Sequence, residues 1–256
     1  MSVPLSILTA LASGFPAPQA VLNQPGQINV AQWGLVEERT GNPEVAWALG
    51  VLPNPVTRSN IIGLRHANPN IRRRRVAIAS LMWGYGISGA RWGAQWVSDV
   101  SNFLGPDLDA VLAACEANLT VGAIAEAYQL FTLPGPRDTE LEGYRGIGSS
   151  FFTKILYFLA RNALQDSSAD YPLILDTKVS MALSQLTGYR LLVRPESYRP
   201  RPDSSAYVQY VKTMHAWAAK LNVLPEVIEY YFWAEAAKSG SPLWPTCQAQ
   251  HALDFP

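Results

Sequence analysis

Gly143-Tyr-Arg-Gly-Ile-Gly-Ser-Ser-Phe-Phe-Thr-Lys-Ile-Leu-Tyr-Phe-Leu-Ala160, resumed after a polar stretch by Leu173-Ile-Leu-Asp-Thr-Lys-Val-Ser-Met-Ala-Leu183, is where the organisation of this chain reads most directly. Gly146 and Gly148 permit a tight turn and leave backbone N–H groups open beside a helix start. From Phe151 to Leu159 the residues are largely apolar around a lone Lys154, which predicts a helix over 150–164. A polar loop over 165–170 interrupts it. Asp176 then follows three apolar residues at the place of an N-cap, and the next helix is expected over 177–186, ending at Gly188.

Working outward, the apolar run from Val76 to Trp83 predicts a buried helix over 75–83, stopped by Gly84, Gly86 and Gly89. Helices are also expected over 95–103, 108–118 and 121–130, with Thr120 as the cap of the third and Leu-Pro-Gly-Pro at 133–136 as a breaker. Near the end, 206–221 and 225–238 repeat apolar and aromatic residues at helical spacing, with Pro225 suited to a first turn. Prolines divide residues 1–70, leaving room for short helices such as one over 33–39. Period-two alternation is scarce, so the expected fold class is all-α.

Composition narrows the function. The chain has 256 residues, 48% of them hydrophobic and 16% charged, which describes a globular protein of one large domain or two lobes. A formal net charge of zero argues against coating nucleic acid, because that affinity comes from many cations displacing counterions. A single-site DNA enzyme needs only a local patch, and basic residues gather between Arg145 and Arg201 while acids dominate between Asp107 and Glu142. The run Arg72 to Arg75 is expected to form a solvated edge. Cys115 and Cys247 are far apart and match no disulfide, zinc or iron–sulfur spacing, so no metal is expected. No stretch reaches the ~20 apolar residues of a membrane span, and the protein is expected in the cytoplasm.

The chemistry-bearing residues sit in the central segment. A lysine buried among apolar neighbours favours the neutral, nucleophilic amine, whereas a snorkelling lysine is the plainer alternative. An N-cap carboxylate can also face a cavity and stabilise a sugar cation, and the two roles are compatible. Glycine-turn amides can hold a phosphate. Together these parts suit an enzyme that removes bases from DNA.

The segment resembles the helix-hairpin-helix DNA glycosylases, and among them the bacterial 8-oxoguanine DNA glycosylases, through Gly-x-Gly at 146–148, Phe-Phe-Thr-Lys at 151–154, Leu-Tyr-Phe at 156–158 and Leu-Ile-Leu-Asp at 173–176. The resemblance covers about 143–183, with Trp-Gly-Tyr-Gly at 83–86 as a further candidate. It implies two helical lobes with a cleft between them, one lobe from 76–164 and the other from 1–75 and 165–256. It also implies that the target nucleotide is flipped into a pocket, and that Asp176 stabilises the oxocarbenium-like sugar or activates the nucleophile. Bifunctional relatives carry their lysine two residues after the second hairpin glycine, where this chain has Ser150, as the monofunctional adenine glycosylases do. Lys154, one turn later on the same helix face, is therefore either a group that reaches C1′ or a phosphate-binding or salt-bridging residue.

The expected reaction is cleavage of an N-glycosidic bond by a monomer acting on double-stranded DNA that holds an altered base, without a cofactor. Strand cleavage at the abasic site is a possible accompaniment. Candidate backbone contacts are Arg145, Gly146, Gly148, Ser149, Ser150 and Lys178, and candidate base-pocket residues are Trp83, Tyr85, Trp92, Trp96 and Trp233. Oxidised guanine follows from the relatives, while bacterial glycosylases of this broad group also attack hypermodified phage bases such as glucosylated hydroxymethylcytosine. The rival readings are a helical DNA-binding module without catalysis and an all-α interaction domain.

Overall fold

The computed structural model describes residues 14–86, 94–132, 147–164, 170–187 and 203–238, with the single positions Val3 and Leu8. Twelve helices lie among the described residues: α1 (Pro18–Leu22), α2 (Val30–Thr40), α3 (Pro43–Val51), α4 (Arg58–Ile62), α5 (Pro69–Tyr85), α6 (Ala94–Phe103), α7 (Leu108–Thr120), α8 (Ile124–Gln129), α9 (Ser149–Leu164), α10 (Thr177–Thr187), α11 (Ser204–Leu221) and α12 (Pro225–Lys238). The one sheet described pairs two-residue strands antiparallel, β1 (Pro25–Gly26) with β2 (Val56–Thr57). The fold is mostly helical, as the spacing of apolar residues predicts. By internal contacts the chain divides into a unit Leu22–Pro172 and a unit made of Met1–Val21 and Leu173–Pro256.

The first unit is organised around α9 lying on α5. Both helices are buried on every side, α5 from Val76 to Trp83 and α9 from Phe152 to Ala160, so neither can exist without the helices that cover it. Asn68 starts α5 by accepting from the Asn70 and Ile71 amides at 2.9 and 3.4 Å, and Pro69 supplies the preset first turn. This Asn-Pro signal puts the helix start well before the expected residue 75. At the other end β1 closes on α5: a Cβ on Gly26 would lie 2.6 Å from the Trp83 ring. The Trp83 indole N–H donates to the Gln24 carbonyl at 3.1 Å.

The expected solvated arginine edge is corrected by the structure. Four consecutive helical residues fan about 100° apart, so the run points to several neighbours. Arg72 and Arg73 share Glu116 of α7 at 2.5 and 2.7 Å, Arg74 pairs with Asp109 about two turns earlier on the same helix, and Arg75 meets Glu44 of α3 at 2.6 Å. Arg75 also lies over the Trp47 ring at 4.1 Å, and Arg72 donates to Asn162 of α9 at 2.6 Å. Thr120 is corrected too. It ends α7, its hydroxyl donating to the Ala117 carbonyl at 2.8 Å, and Gly122 at φ +75° makes the left-handed turn before α8.

The second unit packs α12 against both α10 and α11. Asp203 caps α11 through the Ala206 amide at 2.7 Å, Asn222 ends it at φ 53°, and Pro225 opens α12 as expected.

Replacing Glu116 with Gln should leave two guanidinium groups without their carboxylate where the side chains are only 13–17% exposed. Thermal unfolding should register a loss of about 2 kcal/mol, or about 4–8 °C. Arg74→Gln, at a more exposed pair, should cost less than about 1 kcal/mol.

Candidate active site

The first residue to locate is Lys154. The Gly148 carbonyl receives the Phe151 and Phe152 amides at 2.9 and 3.1 Å, so the second glycine of the pair is where α9 begins. Gly146 and Arg145 lie outside the described residues. Ser149 is buried and its carbonyl accepts the Thr153 hydroxyl at 2.7 Å, while Ser150 is half-buried. Lys154 is 6% exposed, and its ammonium nitrogen donates to the Ser150 carbonyl with the Phe151 ring centroid 5.2 Å away.

This contact has a geometric cause. Helical side chains lean toward the N-terminus, and four residues span about 6 Å of axis, which is within reach of a lysine. The Lys154 amine is thereby returned to the level of residue 150.

Asp176 stands at the end of a buried extended segment, Leu173 to Leu175. Two hydroxyls hold that segment, Tyr207 donating to the Leu173 carbonyl and Tyr210 to the Ile174 carbonyl, each at 2.8 Å. The tyrosines are one turn apart on α11, matching successive carbonyls of the strand-like segment. Asp176 itself is half-buried, its Oδ1 accepts the Val179 amide at 3.0 Å, and its carbonyl accepts the Ser180 amide at 2.9 Å. The N-cap expected from sequence is therefore present. It engages one carboxylate oxygen, and the charge it brings sits at the positive end of α10.

Lys178 is exposed in the first turn of α10 with its ammonium 4.8 Å from the Trp233 ring, and Trp233 stacks on Tyr230 at 5.8 Å. Two residues singled out separately in sequence, one as a backbone contact and one as a pocket wall, are thus brought together. Trp83, Tyr85 and Trp96 are all more than nine-tenths buried. Tyr85 stacks on Phe151 at 3.8 Å and meets Trp96 edge-on at 5.2 Å, and burial, then the Asp99 charge, push its phenol well above the usual tyrosine range. Trp92 lies outside the described residues.

Sequence reading missed Arg58. This residue of α4 is 1% exposed, its guanidinium 5.1 Å from the Trp83 ring and 5.2 Å from the Tyr157 ring, and its Nε donates to Gln24 at 2.8 Å. Nothing in a short polar helix marks such a burial. An open groove lined by Arg65, Arg72, Arg73, Glu116 and Asn162 lies toward the far end of α9. Arg72 and Arg73 there are engaged by Glu116, and Arg65 donates to the Ile62 and Leu64 carbonyls at 2.9 and 2.7 Å, so the groove is knit together rather than open to an anion.

A protein-family model described as "Putative 8-oxoguanine DNA glycosylase OGG-like protein" matches residues 19–233. The chain belongs to this family. No curated protein and no solved structure matches it. The glycosylase match extends far beyond 143–183, taking in the arginine run of α5, both tyrosines that hold the Asp176 segment, and Trp233 at its last position. The family name implies DNA glycosylase activity, with damaged DNA as the substrate. No helix among the described residues is long and apolar enough to cross a membrane.

The cap at Asp176 can be tested by itself. Asp176→Ala should lower stability by about 1 kcal/mol, seen as a fall of about 2–4 °C in melting temperature. Asp176→Asn keeps the cap and should melt within about 1 °C of the parent.

Proposed function

We propose that the chain excises 8-oxoguanine from duplex DNA after flipping the nucleotide out, with Asp176 and Lys154 as its catalytic residues. As the C1′–N bond lengthens its electron pair leaves with the base and the sugar gains positive charge. The Asp176 carboxylate stabilises that charge. When Lys154 acts as nucleophile its ammonium first gives up a proton, and the neutral amine forms the bond to C1′ as the C1′–N bond to the base breaks. The base leaves with the electron pair and takes up a proton, and the resulting Schiff base leads to strand cleavage at the abasic site. The backbone is held by the amides of Gly146, Gly148, Ser149 and Ser150, with Arg145 and Lys178 adding charge. Trp233, and Trp83, Tyr85, Trp92 and Trp96, are the aromatic candidates for the base.

The observation that carries this reading is a lysine buried near the start of the helix that follows the glycine pair, its amine meeting the Ser150 carbonyl. The family match supports the same activity from an independent direction. A roomier substrate of the same bond type, a hypermodified phage base such as glucosylated hydroxymethylcytosine, gives the protein an antiviral role instead of a repair role.

Incubation with an 8-oxoguanine duplex, and separately with glucosylated phage DNA, followed by mass spectrometry of the released base, should show free 8-oxoguanine from the first. Release from the second alone would transfer the activity to phage DNA. Asp176→Asn should slow release at least about 100-fold while changing duplex affinity less than about threefold. Parental release by that variant would remove Asp176 from the chemistry. Borohydride should trap the parent on the duplex and fail to trap Lys154→Ala, and a surviving adduct would exclude this amine.

A further inference from the structure

Gly84 stands in the last turn of α5, where any other common residue except proline would make a better helix. Its φ is not left-handed, so backbone conformation does not demand glycine there. What demands it is the neighbour. A Cβ at residue 84 would lie 2.7 Å from Lys154 Cδ, 3.2 Å from Lys154 Cε and 3.6 Å from the Phe151 ring. The stem of Lys154 therefore lies in a slot left by the missing side chain, and the amine at its end is the one folded back onto Ser150.

The next residue builds the side of the slot. Tyr85 stacks on Phe151 with an interplanar angle of 21°, and that Phe151 ring also meets the Lys154 ammonium. The last turn of α5 thus holds the first turn of α9 through one gap and one ring pair. The Lys154 stem can move if the gap is filled, since it is a flexible chain, and its amine would then leave the Ser150 carbonyl.

We infer that Gly84 is a positioning residue for Lys154: its missing side chain sets where the amine points, and Gly84→Ala displaces the amine without unfolding the helix pair. The catalytic consequence rests on the role proposed above for Lys154, while the slot itself does not.

Two measurements test the slot and a third its consequence. Labelling with acetic anhydride, read by peptide mass spectrometry, should modify Lys154 about tenfold faster in Gly84→Ala than in the parent, with exposed Lys178 and Lys220 unchanged as internal references. In a melting cycle, Gly84→Ala should shift the parent at least about 3 °C further downward than it shifts Lys154→Ala, where nothing remains to collide with. Unchanged labelling together with equal shifts in the two backgrounds would overturn the slot. On an 8-oxoguanine duplex, single-turnover release should fall more than about tenfold in Gly84→Ala at unchanged duplex affinity, and less than about twofold further when Lys154 is already Ala. Parental release by Lys154→Ala would sink the catalytic reading of the lysine and leave the slot standing. Accelerated labelling with a parental release rate in Gly84→Ala would instead refute the positioning role.

Discussion

The contact between α5 and α9 is the constraint from which the rest of the first unit follows. Each helix is buried around its whole circumference, α5 over Val76 to Trp83 and α9 over Phe152 to Ala160, and the other described elements of that unit, α4, α7 and the small sheet among them, do the enclosing. The pair also fixes the chemistry. Because α9 is packed against α5, the Lys154 stem is enclosed. A buried ammonium must find an acceptor, and the Ser150 carbonyl is one.

In the second unit the equivalent constraint is made by hydrogen bonds rather than by apolar surface alone. An extended segment buried between helices carries carbonyls that water cannot reach. Tyr207 and Tyr210 satisfy two of them and so define where the segment ends and α10 begins. Asp176 is the residue at that boundary. The tyrosines that hold the segment lie more than thirty residues away in sequence, so this support, unlike the cap itself, has no local signature.

Most helices could be read from the chain because apolar spacing is a local property. The start of α9 and the cap at Asp176 needed only neighbouring residues to be found. Pairing across elements was not local, and there the reading failed: four adjacent arginines look like a solvent-facing edge until Glu44, Asp109 and Glu116 arrive from two other helices. The acids between Asp107 and Glu142 looked like a negative region for the same reason, although two of them are spoken for by α5. Arg58 was invisible because its burial depends on Gln24, Trp83 and Tyr157 converging on it. The glycine at 84 read as a helix stop, whereas it lies inside the helix and answers to a lysine seventy residues later.

The cap at Asp176 has an evolutionary consequence. Asparagine, serine and threonine all satisfy the same amide, so a lineage that lost its chemistry could drift to any of them at this position while keeping a sound fold. Of these four caps only aspartate brings a carboxylate. Retention of the acid across related genomes would thus be a record of selection on reactivity, separable from selection on folding, and a homologue with one of the three neutral caps would be a natural candidate for a protein that has become a binder.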